Sequence, residues 1–99
     1  MFIRRITYKL APEYDTAEGQ KRFEAALKAH TSQVVGLISS AHVPQGNGRW
    51  LVAAVYHTEA DARAGWPTVQ QAWTENRHFL AEPEVVEHFG LEPQETAGS

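Results

Sequence analysis

Val35-Gly36-Leu37-Ile38-Ser39-Ser40-Ala41-His42-Val43-Pro44-Gln45-Gly46-Asn47-Gly48-Arg49-Trp50-Leu51-Val52-Ala53-Ala54-Val55-Tyr56-His57 is the stretch on which the fold turns. From Val35 to Val43 the period is two, Pro44 to Gly48 carries the strongest turn signal in the chain, and Arg49 to His57 is rich in aromatic and β-branched residues. A hairpin is predicted. With Asn47 and Gly48 at the centre of a type I′ turn, Val52 pairs with Val43, Ala54 with Ala41 and Tyr56 with Ser39. Ile38, Ser40 and His42 then share the opposite face with Leu51, Ala53, Val55 and His57. Both faces read as largely apolar, so each needs a cover.

Upstream, Phe2 to Leu10 alternates as a strand, with Phe2, Ile6, Tyr8 and Leu10 on one face; Arg4 falls on that apolar parity and weakens the pattern. Asp15 followed by Glu18 reads as a capping box, opening a helix in which Phe23, Ala26, Leu27, His30 and Val34 form the apolar stripe. Lys21, Glu24 and Lys28 project away from that stripe. Downstream, Thr58 caps a short helix from Glu59 to Ala64, which Gly65-Trp66-Pro67 interrupts. A second segment follows with Val69, Ala72, Trp73, Asn76, Phe79 and Leu80 on its stripe. Val85 to Leu91 is read as a last strand, and 92–99 as a tail.

The order strand, helix, strand, strand, helix, strand within 99 residues predicts one α+β domain over 1–91, a ferredoxin-like antiparallel sheet with two helices on one face. Helices on one face leave the other apolar side of the hairpin open. A homodimer packed through that side is the expected state.

A formal charge of -3 without a basic block argues against nucleic acid as a partner. Cysteine is absent, which removes thiolate chemistry and Cys-ligated zinc and suits a cytoplasmic location. No apolar run is long enough for a membrane span. Gly46-Asn47-Gly48 joins two strands and opens no helix, so it is a turn and not a phosphate loop. Neither a metal nor a nucleotide cofactor is expected.

The layout, with Ala60 to Leu80 and the Pro83-Glu84-Val85-Val86 exit, resembles the antibiotic biosynthesis monooxygenase-like proteins of the dimeric α+β barrel class. That resemblance implies two ferredoxin-like subunits closing a dimeric α/β barrel, each with a pocket between sheet and helices. It implies a cofactor-independent monooxygenase, or a related enzyme, acting on a small aromatic or hydrophobic metabolite. The alternatives are a non-catalytic small-molecule-binding or dimerisation domain and, less well matched, a haem-degrading oxygenase. For the haem-degrading branch Trp66 and His78 match the expected Trp and His, but Thr7 stands near the position where that branch has an Asn.

Candidate site residues follow from chemistry. Trp66, between Gly65 and Pro67, reads either as the roof of a pocket for a planar ligand or as a core plug. Trp73 lies on the helix stripe as core that can also touch ligand. His42 or His57 can exchange a proton with a phenolic substrate, but in the register above they stand about 13 Å apart, too far for shared metal ligation. Arg5 and Thr7 lie on the less apolar side of the first strand, where an Arg can hold an enolate or carboxylate or form an intersubunit ion pair. Tyr8 faces the helix side and can orient a phenol or carbonyl. Asn76 is the polar member of the second helix stripe and needs a partner in ligand or backbone.

Overall fold

The computed structural model describes residues 1–90. Strand β1 (Phe2–Lys9) sets the layering: Phe2, Arg4, Ile6 and Tyr8 are buried, while Ile3, Arg5, Thr7 and Lys9 alternate with them at higher exposure. A 3-10 turn (Pro12–Tyr14) leads to helix α1 (Ala17–Thr31), strands β2 (Leu37–Gly46) and β3 (Arg49–Tyr56) and helix α2 (Glu59–Glu75). A second 3-10 turn (Arg77–Phe79) and strand β4 (Val85–Gly90) complete the described chain. Leu91 and the tail predicted at 92–99 lie outside the described residues.

The sheet runs β2-β3-β1-β4 with every neighbouring pair antiparallel. The predicted ferredoxin-like α+β sheet with its two helices is therefore present. The barrel is not: the sheet is open, with β2 and β4 as its edges. Closure takes about eight strands whose tilt and stagger agree, and the four strands among the described residues leave two edges unpaired. Ile3, Leu51, Ala53 and Val55 occupy the face opposite the helices at intermediate exposure, flanked by the more exposed Val43 and Val85.

Between sheet and helices lies an aromatic core. Phe23 is fully buried, with its ring 4.9 Å from Tyr8, 5.3 Å from Trp73 and 5.5 Å from Phe79, in tilted and edge-on contacts that suit the ring quadrupoles. Leu27 from α1 and Val69 and Ala72 from α2 complete the helix contribution to it. The two stripes read from the sequence are the faces that pack.

The turn forms as expected, since Asn47 (φ 56°) and Gly48 (φ 76°) both take the left-handed backbone that a type I′ turn requires. The predicted register fails beyond it. Gly46 pairs with Arg49 but Pro44 pairs with Trp50, so Gln45 is an extra residue on β2, and the strand continues as Val43 with Leu51, Ala41 with Ala53 and Ser39 with Val55. A bulge of one residue moves every later side chain to the other face. His42 consequently lies opposite Val52 on the helix side, while Leu51, Ala53 and Val55 stay on the open side. The predicted sharing of a face by His42 and Leu51 is corrected accordingly.

Helix α1 begins one residue later than predicted: Thr16, not Asp15, is the cap, and its Oγ accepts from the Gly19 amide at 2.9 Å. A Cβ on Gly19 would collide with the Tyr14 carbonyl oxygen, so the capping turn packs directly on the preceding 3-10 turn. Thr58 caps α2 as predicted, accepting from the Asp61 amide at 3.0 Å.

The predicted break at Gly65-Trp66-Pro67 is absent, because α2 is one helix with Pro67 inside it. Proline there deprives the Arg63 carbonyl of its helical donor, but both residues face solvent, where water replaces it. Gly65 serves contact, not looseness: a Cβ at that position would lie 2.5 Å from Cγ1 of Val34. Among the described residues no helix is long and apolar enough to cross a membrane.

Candidate functional site

A cavity of about 480 Å³ opens between α1 and the helix-side face of β2 and β3, within the size range of small-molecule sites. Ile6, Val52 and Ala54 form its apolar floor, and α2 contributes Val69 and Trp73. Glu24, Lys28 and Thr31 enter from α1, because a three-to-four spacing places them together on the flank of the helix that faces β2. The polar flank of the Phe23–Leu27 stripe is thus also a cavity wall, with Glu24 partly buried and Lys28 still exposed.

His42 reaches this wall because of the Gln45 bulge. Its Nδ1 is 2.9 Å from the Tyr8 hydroxyl, which also lies 2.7 Å from Gln20 Nε2, and the same Nε2 is 2.7 Å from Glu24 Oε2. The roles along this chain follow from its members. Glu24 accepts, so the Gln20 amide nitrogen faces it and donates to both Glu24 and Tyr8; the reversed amide would set two oxygens against each other. With its oxygen occupied by Gln20, Tyr8 donates its proton to His42 Nδ1. The opposite tautomer would leave a buried O–H without an acceptor.

His42 is therefore assigned as the neutral imidazole with hydrogen on Nε2. Burial lowers its pKa, opposed by the nearby Glu24 carboxylate, and burial raises that of Tyr8 well above its ordinary value. Neither group readily ionises. Since folding disfavours the imidazolium, the unfolded chain binds that proton more readily. Stability from neutral His42 is present above its unfolded pKa of about 6.5 and is lost as pH falls toward the folded value. The melting temperature is expected to drop between about pH 7 and pH 5, with His42→Gln flattening that limb. Identical acid limbs in both proteins would contradict the assignment.

Arg4, the residue that broke the β1 pattern, is 2% exposed and lines the cavity. Its Nη1 donates to the Tyr56 hydroxyl at 2.8 Å and its Nη2 to the Ala62 carbonyl at 2.7 Å. The guanidinium lies 5.0 Å from the Tyr56 ring centroid and 4.5 Å from that of Trp66. Burial lowers the Arg4 pKa and raises that of Tyr56, each shift opposed by the other group.

The predicted site residues divide. His42 and Trp73 line the cavity, and Tyr8 stands behind His42. His57 is exposed beyond the end of β3, and Arg5 and Thr7 face the open side, with Arg5 in register with Glu87. Trp66 is partly buried over Arg4 and does not line the cavity, which abuts α1 more than the α2 position predicted for it. Asn76 finds its partner in the backbone: it ends α2, and its Nδ2 donates to the Ala72 carbonyl at 2.8 Å. His78 is exposed, 4.5 Å from the Phe79 ring, so the structure does not bring the Trp66–His78 pair into the cavity. Among the described residues no cluster of three or more metal-ligating side chains occurs.

Arg4, Glu24, Gln20 and Tyr56 were missed. Only Arg4 carried a signal, as a charge on an apolar parity.

No family model matches the sequence, and no curated protein does. The fold has many counterparts among solved structures. A protein of unknown function from Nitrosomonas europaea, NE2512, superimposes with a TM-score of 0.73 at 16% identity, over 91% of this chain and 87% of that one. A Deinococcus radiodurans protein provisionally named an antibiotic biosynthesis monooxygenase gives 0.71 at 14% identity, over 93% of each chain. A structure titled antibiotic biosynthesis monooxygenase gives 0.69 at 10% identity, over 94% and 100%. At these identities the likeness is one of fold, and by fold this chain is similar to the antibiotic biosynthesis monooxygenase-like proteins.

Proposed function

We propose that the cavity is the active site of a cofactor-independent monooxygenase, in which a small phenolic metabolite bound as its oxyanion reacts directly with dioxygen. The observation that carries this reading is the 2.9 Å contact between the Tyr8 hydroxyl and His42 Nδ1, from which the His42 tautomer is assigned. A neutral imidazole held by Tyr8 presents Nε2–H to an oxyanion without itself competing for the proton. Glu24 is, among the described residues, the acidic side chain on the cavity wall, and it takes the phenol's proton. The floor of Ile6, Val52 and Ala54 and the Trp73 edge exclude water from the ring.

The reaction balances without a further reductant. A phenol and dioxygen give a quinone and water, the ring supplying four electrons, one oxygen atom entering the product and the other leaving as water. A cytoplasmic homodimer belongs to the same reading, and the apolar open face with Ile3, Leu51, Ala53 and Val55 supports it.

Chelator-treated protein offered a panel of naphthols and anthrols should consume one dioxygen per quinone formed, with labelled dioxygen placing one atom in the product. The active species should sediment at twice the chain mass. Binding of panel members with no oxygen uptake above the protein-free rate would refute the oxygenase.

A further inference from the structure

Arg4 is a buried cation in contact with neutral groups. Its two Nη atoms donate to a phenol and a peptide carbonyl, its flanks face two aromatic rings, and its Nε has no hydrogen-bond partner. Among the described residues no carboxylate lies within ion-pairing distance of it. The ring faces offset part of the desolvation of a guanidinium, but a charge so placed is normally matched by an anion. A cavity that Arg4 itself lines is where such an anion can arrive.

Register fixes where Arg4 stands relative to His42. Arg4 pairs with Ala54 on β3, and His42 pairs with Val52 from the other side of the same strand. The two Cα atoms are thus two strand spacings apart across the sheet and two residues apart along it, a diagonal of about 12 Å. The apolar Ile6, Val52 and Ala54 lie on the floor between them.

We propose that the cavity selects aromatic acids: a carboxylate at one end of the ligand pairs with Arg4, an ionisable hydroxyl at the other end meets His42, and a planar apolar body spans the floor between. This rests on the reading of the cavity as a ligand site and adds the class of substrate. Guanidinium is the group suited to it, since its planar donors match a carboxylate and its charge persists at any working pH. Lys28 is the competing cation on the wall, but it projects from the exposed flank of α1, where an ammonium keeps its water.

The test is calorimetric titration with the hydroxynaphthoic acid whose two groups sit at opposite ends of the fused rings, beside its carboxamide, which keeps the shape and loses the charge. In the unaltered protein the acid should bind about tenfold or more tighter than the amide. That preference should survive Lys28→Met and vanish in Arg4→Met, with folding checked by circular dichroism. If Arg4→Met fails to fold, the acid–amide comparison in the unaltered protein and in Lys28→Met decides alone. Equal affinity for the two, including no measurable binding of either, overturns the proposal, as does loss of the preference in Lys28→Met. Acid bound selectively without oxygen uptake refutes the oxygenase and upholds acid recognition. An amide bound as tightly as the acid and oxidised as fast upholds the oxygenase and overturns acid recognition.

Discussion

Phe23→Ala is expected to lower the unfolding free energy by about 3–5 kcal/mol, read as a shift of the urea midpoint at unchanged slope. Phe23 has no exposed surface, and Tyr8, Trp73 and Phe79 surround its ring within 5.5 Å, so truncation removes aromatic contact from three partners at once. Those partners come from β1, from α2 and from the turn after it, and none can follow the missing ring without leaving its own element. A domain of this size holds about 5–15 kcal/mol in all, so the variant stands close to unfolding at body temperature. Phe23→Leu, which keeps most of the volume, should cost less than half as much. A loss below about 1 kcal/mol for the alanine variant would mean that the helices close over the gap, and that the rings do not act as a rigid cluster.

Glu24→Gln is expected to reduce the turnover number for oxygen uptake by about two to four orders of magnitude while changing KM much less. The substitution removes the proton acceptor but keeps a carbonyl oxygen for the Gln20 amide, which now contacts Glu24 at 2.7 Å, so the line from Gln20 through Tyr8 to His42 stays in place. Stability should therefore change little. The residual rate should rise with pH as the bound phenol ionises to solvent without help, a signature that a purely structural role would not produce. An unchanged turnover number would remove Glu24 from the reaction and assign the proton to water at the cavity mouth.

How much of this could be read beforehand varies with range along the chain. The alternation of Phe2, Ile6, Tyr8 and Leu10 and the helical stripe through Phe23 and Leu27 each encode their own burial, and both hold. Asn47-Gly48 encodes its turn through local backbone energetics, and this also holds. The register beyond the turn is set by Gln45, whose bulge has no side-chain signature; the irregularity between Leu37 and Ser39 has none either. Pro67 argues locally for a break, but the packing of Ala62 on one side and Val69, Ala72 and Trp73 on the other keeps the helix whole. Local preference loses to tertiary contact there.

The site suffered most from these two misreadings. A false break made Trp66 a pocket wall, and a register off by one put His42 on the face opposite the one it occupies. Arg4 was visible from the start as a violation of the strand pattern. Its position on a buried face made it a functional candidate of greater value than Arg5, which obeys the pattern and faces outward.

The Gln45 bulge makes one unpaired residue decide which β2 side chains face the cavity. Drawing Gln45 into the ladder opposite Trp50, at unchanged length, would carry His42 through the sheet to the opposite surface, whereas deleting Gln45 would regularise the ladder and leave His42 opposite Val52. Two chains with identical cavity residues and hairpins of equal length would thus present different groups to the same ligand if one of them lacked the bulge. Within this architecture, alignments that slide a gap freely along the β2–β3 tip will equate residues that point in opposite directions, and gap placement there deserves the scrutiny usually given to the identity of a catalytic side chain.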